Sequence, residues 1–422
     1  MDVLYRFLYN FMFLPLLYVL YHIYAFFNDK AREGLKGRKD TFKRILENYK
    51  INKQHVIWFH CSSVGEFEQA KPIIAQLKHK ANIVLSFFSP SAYNLAKNYS
   101  DADLICYLPY DTSWNARKMF DLIKPSLLIF VRFDIWPNYV WTAKKLGVPV
   151  MLVNASLHKG STRLYPIVRN FLKSVHKHID LQCAISESDA QRLRSLCSDC
   201  RIVITGDTRF DQVIARKNAV GKKLEGLLPD FSLPVIIAGS TYSEDEEVII
   251  QAYQQVLSKH KAQLILVPHE PEHKRLIEIQ NKLSAVNLPY VLLSKINDIQ
   301  FKDEIIIVDR VGVLAELYML SDIAFIGGSF HGSVHNVMEP AVMGKPVIFG
   351  PTIYNSLEAY MLMEHGCGIM VLNGSQLASQ LIRLLADKEL RENLGKIALS
   401  LIEKNSGATE KIIKYINEFL EK

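Results

Sequence analysis

The feature that most constrains this 422-residue chain is a rhythm of short apolar runs alternating with helical patterns. Seven runs bounded by turn residues occupy 55–60, 82–87, 104–108, 126–131, 148–154, 181–185 and 201–205. After a polar, Gly- and Pro-bearing stretch the rhythm restarts at 235–238, 262–267, 290–293, 304–308, 323–326, 346–349 and 368–371. Strands that are apolar on both faces and separated by helices belong in parallel sheets covered on both sides. The chain therefore reads as α/β, with two doubly wound Rossmann-like domains facing each other across a cleft. The expected divisions are an N-terminal helix over 1–28, a first domain over 29–216, a linker over 217–234, a second domain over 235–405 and a closing helix over 406–422. Ligands of open α/β sheets bind beyond the carboxyl ends of the strands, so function is to be sought in the loops that follow them.

Composition agrees: 49% apolar and 22% charged residues exclude a disordered chain. The six cysteines are scattered and suggest structural thiols in a reducing compartment. Cys197 and Cys200 have a zinc-like spacing, but no second pair follows, so no metal site is expected.

From Val3 to Phe27 the chain is almost wholly apolar and aromatic, with Arg6, Asn10 and His22 as interruptions. Such a segment spans a bilayer, lies in its interface, or packs as an apolar first helix onto the protein itself with the following charges as its solvated continuation. Between Asp29 and Arg44 seven basic residues face three acidic ones, and 157–179 holds five basic residues and no acidic one. The net charge of +7 is therefore concentrated in two stretches of the first half. That placement suits an anionic cytoplasmic membrane surface and argues against a nucleic-acid partner.

Three motifs follow strands of the first half. In HCSSVGE (His60–Glu66), Glu66 falls in the first turn of a helix, where a carboxylate acts either as a general base or as a cap for free N–H groups. In RFDIWPN (Arg132–Asn138), Arg132 and Asp134 emerge at a strand end, as a ligand site or as an ion pair that ties the loop down. In GDTRFD (Gly206–Asp211), Arg209 offers a permanent positive charge to an anionic ligand or to a surface salt bridge.

In the second half, AGST (Ala238–Thr241) offers small residues and backbone N–H groups at a helix start, either to a phosphate or, as the acidic run 243–247 suggests, to ordinary capping, and PHEPEH (Pro268–His273) brings His269 and Glu270 to a strand end. The densest segment is 327–351, GGSFHGSVHNVMEPAVMGKPVIFGP. Its glycine pair permits close approach of a ligand to the backbone, and Asn336 and Glu339 are neighbours at a helix start. A carboxylate there can accept both hydroxyls of a ribose, which marks a nucleotide site. His331 and His335 either touch substrate or are solvated loop histidines.

SVGE, WPN, the Gly206–Asp211 pattern and HNVMEPAVMGKPVIFGP, in this order, resemble the bacterial 3-deoxy-D-manno-octulosonic acid (Kdo) transferases over essentially the whole chain. The resemblance implies a GT-B fold with a membrane-associated N-terminal helix. It also implies inverting transfer of Kdo from CMP-Kdo to a lipid A precursor in lipopolysaccharide synthesis, at the cytoplasmic face of the inner membrane. It makes Glu66 the base and assigns CMP contacts to His269, Glu270, Val311, Gly312, Val313, Asn336, Val337, Met338 and Glu339. No cofactor is implied beyond the donor. Three positions depart from the family pattern: Arg132 stands where an acid is usual, leaving Asp134 to compensate, Arg209 replaces a Lys, and Val311–Gly312–Val313 replaces Met-Gly-Glu. The rival readings are a membrane-associated GT-B enzyme using a UDP-sugar, and a nucleotide-sugar binding protein without catalysis.

Overall fold

In the computed structural model, residues 2–219, 228, 231–298 and 304–421 are described. Every one of the fourteen apolar runs forms a strand. They are β1 (His55–Cys61), β2 (Ala81–Phe87), β3 (Leu104–Tyr107), β4 (Leu127–Val131), β5 (Val150–Ala155), β6 (Leu181–Ala184), β7 (Ile202–Ile204), β8 (Val235–Thr241), β9 (Gln263–Pro268), β10 (Tyr290–Leu292), β11 (Ile305–Ile307), β12 (Ile323–Ile326), β13 (Val347–Phe349) and β14 (Gly368–Met370).

All pairings are parallel, in two sheets of order β3-β2-β1-β4-β5-β6-β7 and β10-β11-β9-β8-β12-β13-β14. The strand order reverses between β1 and β4 in the first sheet and between β8 and β12 in the second. The crevice at such a switch point is the binding place of doubly wound sheets.

β2 and β4 are buried at every residue, which is why they read as unbroken apolar runs. On one face of the first sheet Trp58 packs edge-on against Phe120 and Tyr139, with ring centroids 5.4 and 5.6 Å apart.

The chain divides into one unit of Met1–Gln212 with Asn405–Lys422 and another of Val213–Lys404. Most of the expected linker, 220–227 with 229 and 230, lies outside the described residues. Helix Thr208–Ala219 runs into its first three positions. The last helix, Ala408–Leu420, returns to the first unit, where Ile412 and Ile416 join the core containing Ile57, Phe67 and Ile73.

Asp211 holds that return. Its carboxylate accepts from Gly407 N (2.6 Å), Thr409 N (2.7 Å) and Thr409 Oγ1 (2.6 Å), capping a helix almost two hundred residues away in sequence. The last aspartate of GDTRFD thus has a structural task.

The cysteines differ from expectation at one pair. Cys197 and Cys200 are joined by a disulfide, with Cα atoms 5.5 Å apart, while Cys61, Cys106, Cys183 and Cys367 are buried thiols. The cause is local: helix Glu187–Leu196 ends at Cys197 in an extended conformation, and a turn closed by Cys200 N to Cys197 O at 3.3 Å brings the two side chains together.

One helix among the described residues, Asp2–Phe27, is long and apolar enough to cross a membrane, with mean hydropathy 1.6. One side of it follows the first unit along its length. Asp2 pairs with Lys177, Tyr5 meets Phe171, the Tyr9 hydroxyl donates to Asp111 (2.6 Å), and Tyr18 and Tyr21 reach Tyr110 and Phe88. Val3, Phe7, Phe11, Phe26 and Phe27 are exposed.

Replacing Asp211 by Ala removes three hydrogen bonds from the start of the last helix and is expected to destabilise the protein by about 1–2 kcal/mol. Denaturant titration measures the loss, and early proteolysis within Ala408–Leu420 would accompany it.

Candidate active site

At the switch point of the first sheet, Glu66 and the loop after β4 come together. Ser63 caps helix Val64–Leu77 by accepting from Glu66 N (3.3 Å), and Glu66 Oε2 accepts from Ser62 N (2.5 Å). The carboxylate thus caps the start of its own helix, taking backbone hydrogen bonds from the Ser62–Ser63 turn.

The Glu66 side chain is buried, and its carboxyl is raised to about 7. Burial is the main cause and Asp134 adds to it, while the Ser62 N–H and Arg132 pull the other way. A carboxyl poised near neutrality is the state a general base needs.

His60, one strand residue before the motif's turn, is not a rival base. Its ring nitrogens sit 3.0 Å from Ser86 Oγ and 3.1 Å from Ser62 Oγ, and burial lowers it to about 3. It is a neutral spacer under the Glu66 turn.

Arg132 adopts a left-handed backbone, φ 71°, unusual for a non-glycine residue. Its N–H bonds to Val153 O at 2.8 Å, which fixes the turn at the end of β4. The guanidinium lies 5.3 Å from the Phe133 ring, and that of Arg163 covers the same ring at 4.4 Å while bonding Asp134 at 3.4 Å. Asp134 is therefore shared: Arg163 pairs with it and Glu66 feels its charge.

Arg209 lies against Asp207, with Nε and Nη2 at 2.8 and 2.7 Å from Oδ2. Asp207 is buried, also accepts from Gln69 (3.2 Å), and is held below the ordinary carboxylate range, the Arg209 charge and hydrogen bonds outweighing its desolvation. This fixes the direction of Arg209, whose side chain is 31% exposed.

The switch point of the second sheet is built around Asp245, from the acidic run after AGST. Its carboxylate accepts from Tyr242 N (2.9 Å), Gly328 N (2.7 Å) and Phe330 N (3.2 Å), so it caps its own helix and also holds the glycine loop after β12. A Cβ on Gly327 would lie 2.4 Å from Ser240 O, so that close crossing requires glycine.

Above the loop the rings of Tyr242, His331, His335 and His269 stack, Tyr242 to His331 at 4.3 Å and His269 to His335 at 4.4 Å. Burial and the two neighbouring imidazoles lower His335 to about 4. Glu270 is exposed beside His269.

Asn336, Val337, Met338 and Glu339 open the short helix Met338–Val342, with Asn336 Oδ1 accepting from Met338 N at 3.0 Å. Glu339 pairs with Arg216 at 2.8 Å. Val311 and Gly312, the latter with φ 84°, form the turn after β11, and buried Val313 precedes helix Leu314–Leu320. Thus His269 meets His335, and Asn336 to Glu339 share one helix start, whereas 311–313 belong to a separate loop.

Sequence reasoning missed Arg163, Asp207, Tyr242 and Arg216 as partners of these residues. No local pattern marks them except at Asp207, two residues before Arg209 in the same motif.

The family model described as 3-deoxy-D-manno-octulosonic-acid transferase (kdotransferase) matches residues 37–212. The 3-deoxy-D-manno-octulosonic acid transferase of Aquifex aeolicus is 31% identical over 364 residues, covering 83% of this chain and 92% of its own. The chain belongs to the Kdo transferase family. The Haemophilus influenzae Kdo transferase is 27% identical over 378 residues, 87% of each chain.

Among solved structures, the UDP-GlcNAc 2-epimerase of Neisseria meningitidis aligns with TM-score 0.60 at 14% identity, over 86% of this chain and 99% of its own. MurG of Acinetobacter baumannii aligns with TM-score 0.53 at 13% identity, over 87% and 100%. At such identities these likenesses speak to the fold alone, which is GT-B. As a Kdo transferase the protein is a glycosyltransferase.

The charges around Glu66 can be dissected. Asp134→Asn is expected to lower the Glu66 titration midpoint and Arg132→Ala to raise it. Carboxylate carbon NMR across the pH range reads both shifts, and their opposite signs are the prediction.

Proposed function

We propose that this Kdo transferase moves Kdo from CMP-Kdo to a lipid A precursor, with inversion at the anomeric carbon and Glu66 as the base. The observation that carries the reading is a carboxyl raised to about 7 at the switch-point crevice of a Kdo transferase family member. Glu66 takes the proton of the acceptor hydroxyl as that oxygen attacks the anomeric carbon of Kdo, and the bond to the CMP phosphate breaks with its electron pair. One displacement inverts the configuration.

Arg209 is assigned to the negative charge that develops on the departing phosphate. Arg132 and Asp134 adjust, in opposite directions, the charge state that burial sets for the base. The donor nucleotide is assigned to the second unit: His269 and Glu270, the turn Val311–Gly312–Val313, and the helix start of Asn336, Val337, Met338 and Glu339. Glu339 receives the ribose hydroxyls, so nucleotide must share it with Arg216.

The first helix is assigned to the cytoplasmic face of the inner membrane, lying in the interface. Its contacts with the first unit extend from Asp2 to Tyr21, which suits a helix embedded by one face better than one threaded through a bilayer. The basic stretch Asp29–Arg44 faces the anionic headgroups.

Glu66→Gln is expected to lower kcat by roughly 10²–10⁴-fold with CMP-Kdo affinity little changed. Transfer by that variant at the wild-type rate would remove Glu66 from the role. In the wild type, kcat/KM should fall about tenfold per pH unit below about 7, as the base becomes protonated.

Stability should show the same group from the other side. A carboxyl raised from 4.5 to about 7 contributes stability that is complete below its unfolded value and lost as pH rises through about 7. Glu66→Gln should therefore melt close to wild type in acid and above it in mild alkali.

A further inference from the structure

An apolar groove of 790 Å³ runs between the first helix and the strand-end loops of the same unit. Leu14, Leu17 and Tyr21 form one wall, and Phe88, Tyr110 and Trp136 form the other. The volume is that of a small-molecule site. We propose that this groove takes an acyl chain of the lipid acceptor and so guides its sugar hydroxyl to Glu66. The inference rests on the lipid-acceptor reading and extends it to a specific subsite.

Three observations select this occupant. The inner end of the groove adjoins the base. Trp136 packs edge-on against His60 at 5.8 Å, His60 lies 3.1 Å from Ser62 Oγ, and Ser62 N donates to Glu66; next to Phe88, Ser89 N donates to Ser62 O at 3.2 Å. A chain lying against Trp136 and Phe88 is thus one residue layer from the Glu66 turn.

The outer end is continuous with exposed apolar helix. Leu17, Leu20 and Tyr24 are each about half exposed, and the helix passes directly into the basic stretch Asp29–Arg44. An amphiphile with a long chain and an anionic head matches that order of apolar and basic surface.

The inner wall is also held in place. Arg38 lies over the Phe88 ring at 4.1 Å, bonds Phe88 O at 2.5 Å and Leu108 O at 3.1 Å, and is buried. A groove with a fixed aromatic wall discriminates among chains, whereas a loose apolar surface accepts any.

The test uses the full-length protein in mixed micelles with three acceptors that share a phosphorylated glucosamine disaccharide: long-chain acylated, short-chain acylated and deacylated. Leu17→Trp and, at a more exposed position, Leu20→Trp narrow the groove, while Val3→Trp adds the same bulk on the helix's exposed face. The groove variants are expected to raise KM about tenfold for the long-chain acceptor, with kcat and the KM for the deacylated acceptor unchanged, and Val3→Trp should behave as wild type. An equal effect on all three acceptors, or no effect of either groove variant, overturns the proposal.

A second readout does not depend on transfer. An acceptor carrying a diazirine on its acyl chain should label Leu14–Tyr21, Tyr110 or Trp136, and excess acylated acceptor should suppress the labelling. Equal suppression by phosphatidylglycerol of the same chain length would make the groove a general lipid slot and overturn the proposal, as would labelling confined to other surfaces. Specific labelling without transfer from CMP-Kdo would instead refute the donor assignment and leave the groove standing.

Discussion

A parallel strand cannot be joined to its neighbour by a tight turn; the chain must cross over the sheet and come back. That constraint organises everything functional in this protein. Each crossover begins at the carboxyl end of a strand, so the loops that carry chemistry collect along one edge of each sheet. Where the strand order reverses, two such loops diverge and leave a crevice. In the first unit they are the loops after β1 and β4, bearing Glu66 and Arg132 with Asp134. In the second they follow β8 and β12, bearing Tyr242 with Asp245 and the glycine pair.

The same geometry governs the electrostatics. Because the helix after β1 must start beside the sheet, Glu66 in its first turn is buried, and burial is the main force raising its carboxyl. Asp134 adds charge from the neighbouring loop, Arg132 opposes the rise, and Arg163 pairs with Asp134. Arg132 and Asp134 therefore act on the Glu66 carboxyl from one loop with opposite signs. The net result is a carboxyl near neutrality.

Much of this was legible in sequence because it is local. Continuous apolar runs announce buried parallel strands, and glycine, proline and acidic residues immediately after them announce loops and helix starts. All fourteen strands and the positions of the motifs followed from that pattern. What escaped was distant. Nothing near Asp211 says that it caps a helix at Gly407 and Thr409, and nothing near Glu339 names Arg216 as its partner. The Cys197–Cys200 bridge escaped for a different reason: composition describes the redox setting of a whole chain, whereas a bond between residues three apart is decided by how one helix ends.

The N-terminal helix shows where a sequence pattern and a structure answer different questions. Hydropathy alone makes it an anchor, a segment that could be removed without harm to the domain it tethers. Its contacts make it part of the domain. Asp111 is fully buried and its carboxyl is raised to about 7, chiefly by burial, with hydrogen bonds from the Tyr9 hydroxyl and the Asn138 backbone opposing that rise. The Asn138 side chain bonds Asp111 O and also Asn10 Oδ1 at 2.9 Å. Deleting the helix would take one partner from a buried carboxyl and one from a buried amide, and a buried polar group left unpaired costs about 1–3 kcal/mol. Asn138 belongs to the WPN segment whose tryptophan lines the groove and whose loop carries Arg132 and Asp134. The apolar first helix and the loop that carries Arg132 and Asp134 are therefore joined through one asparagine and one aspartate.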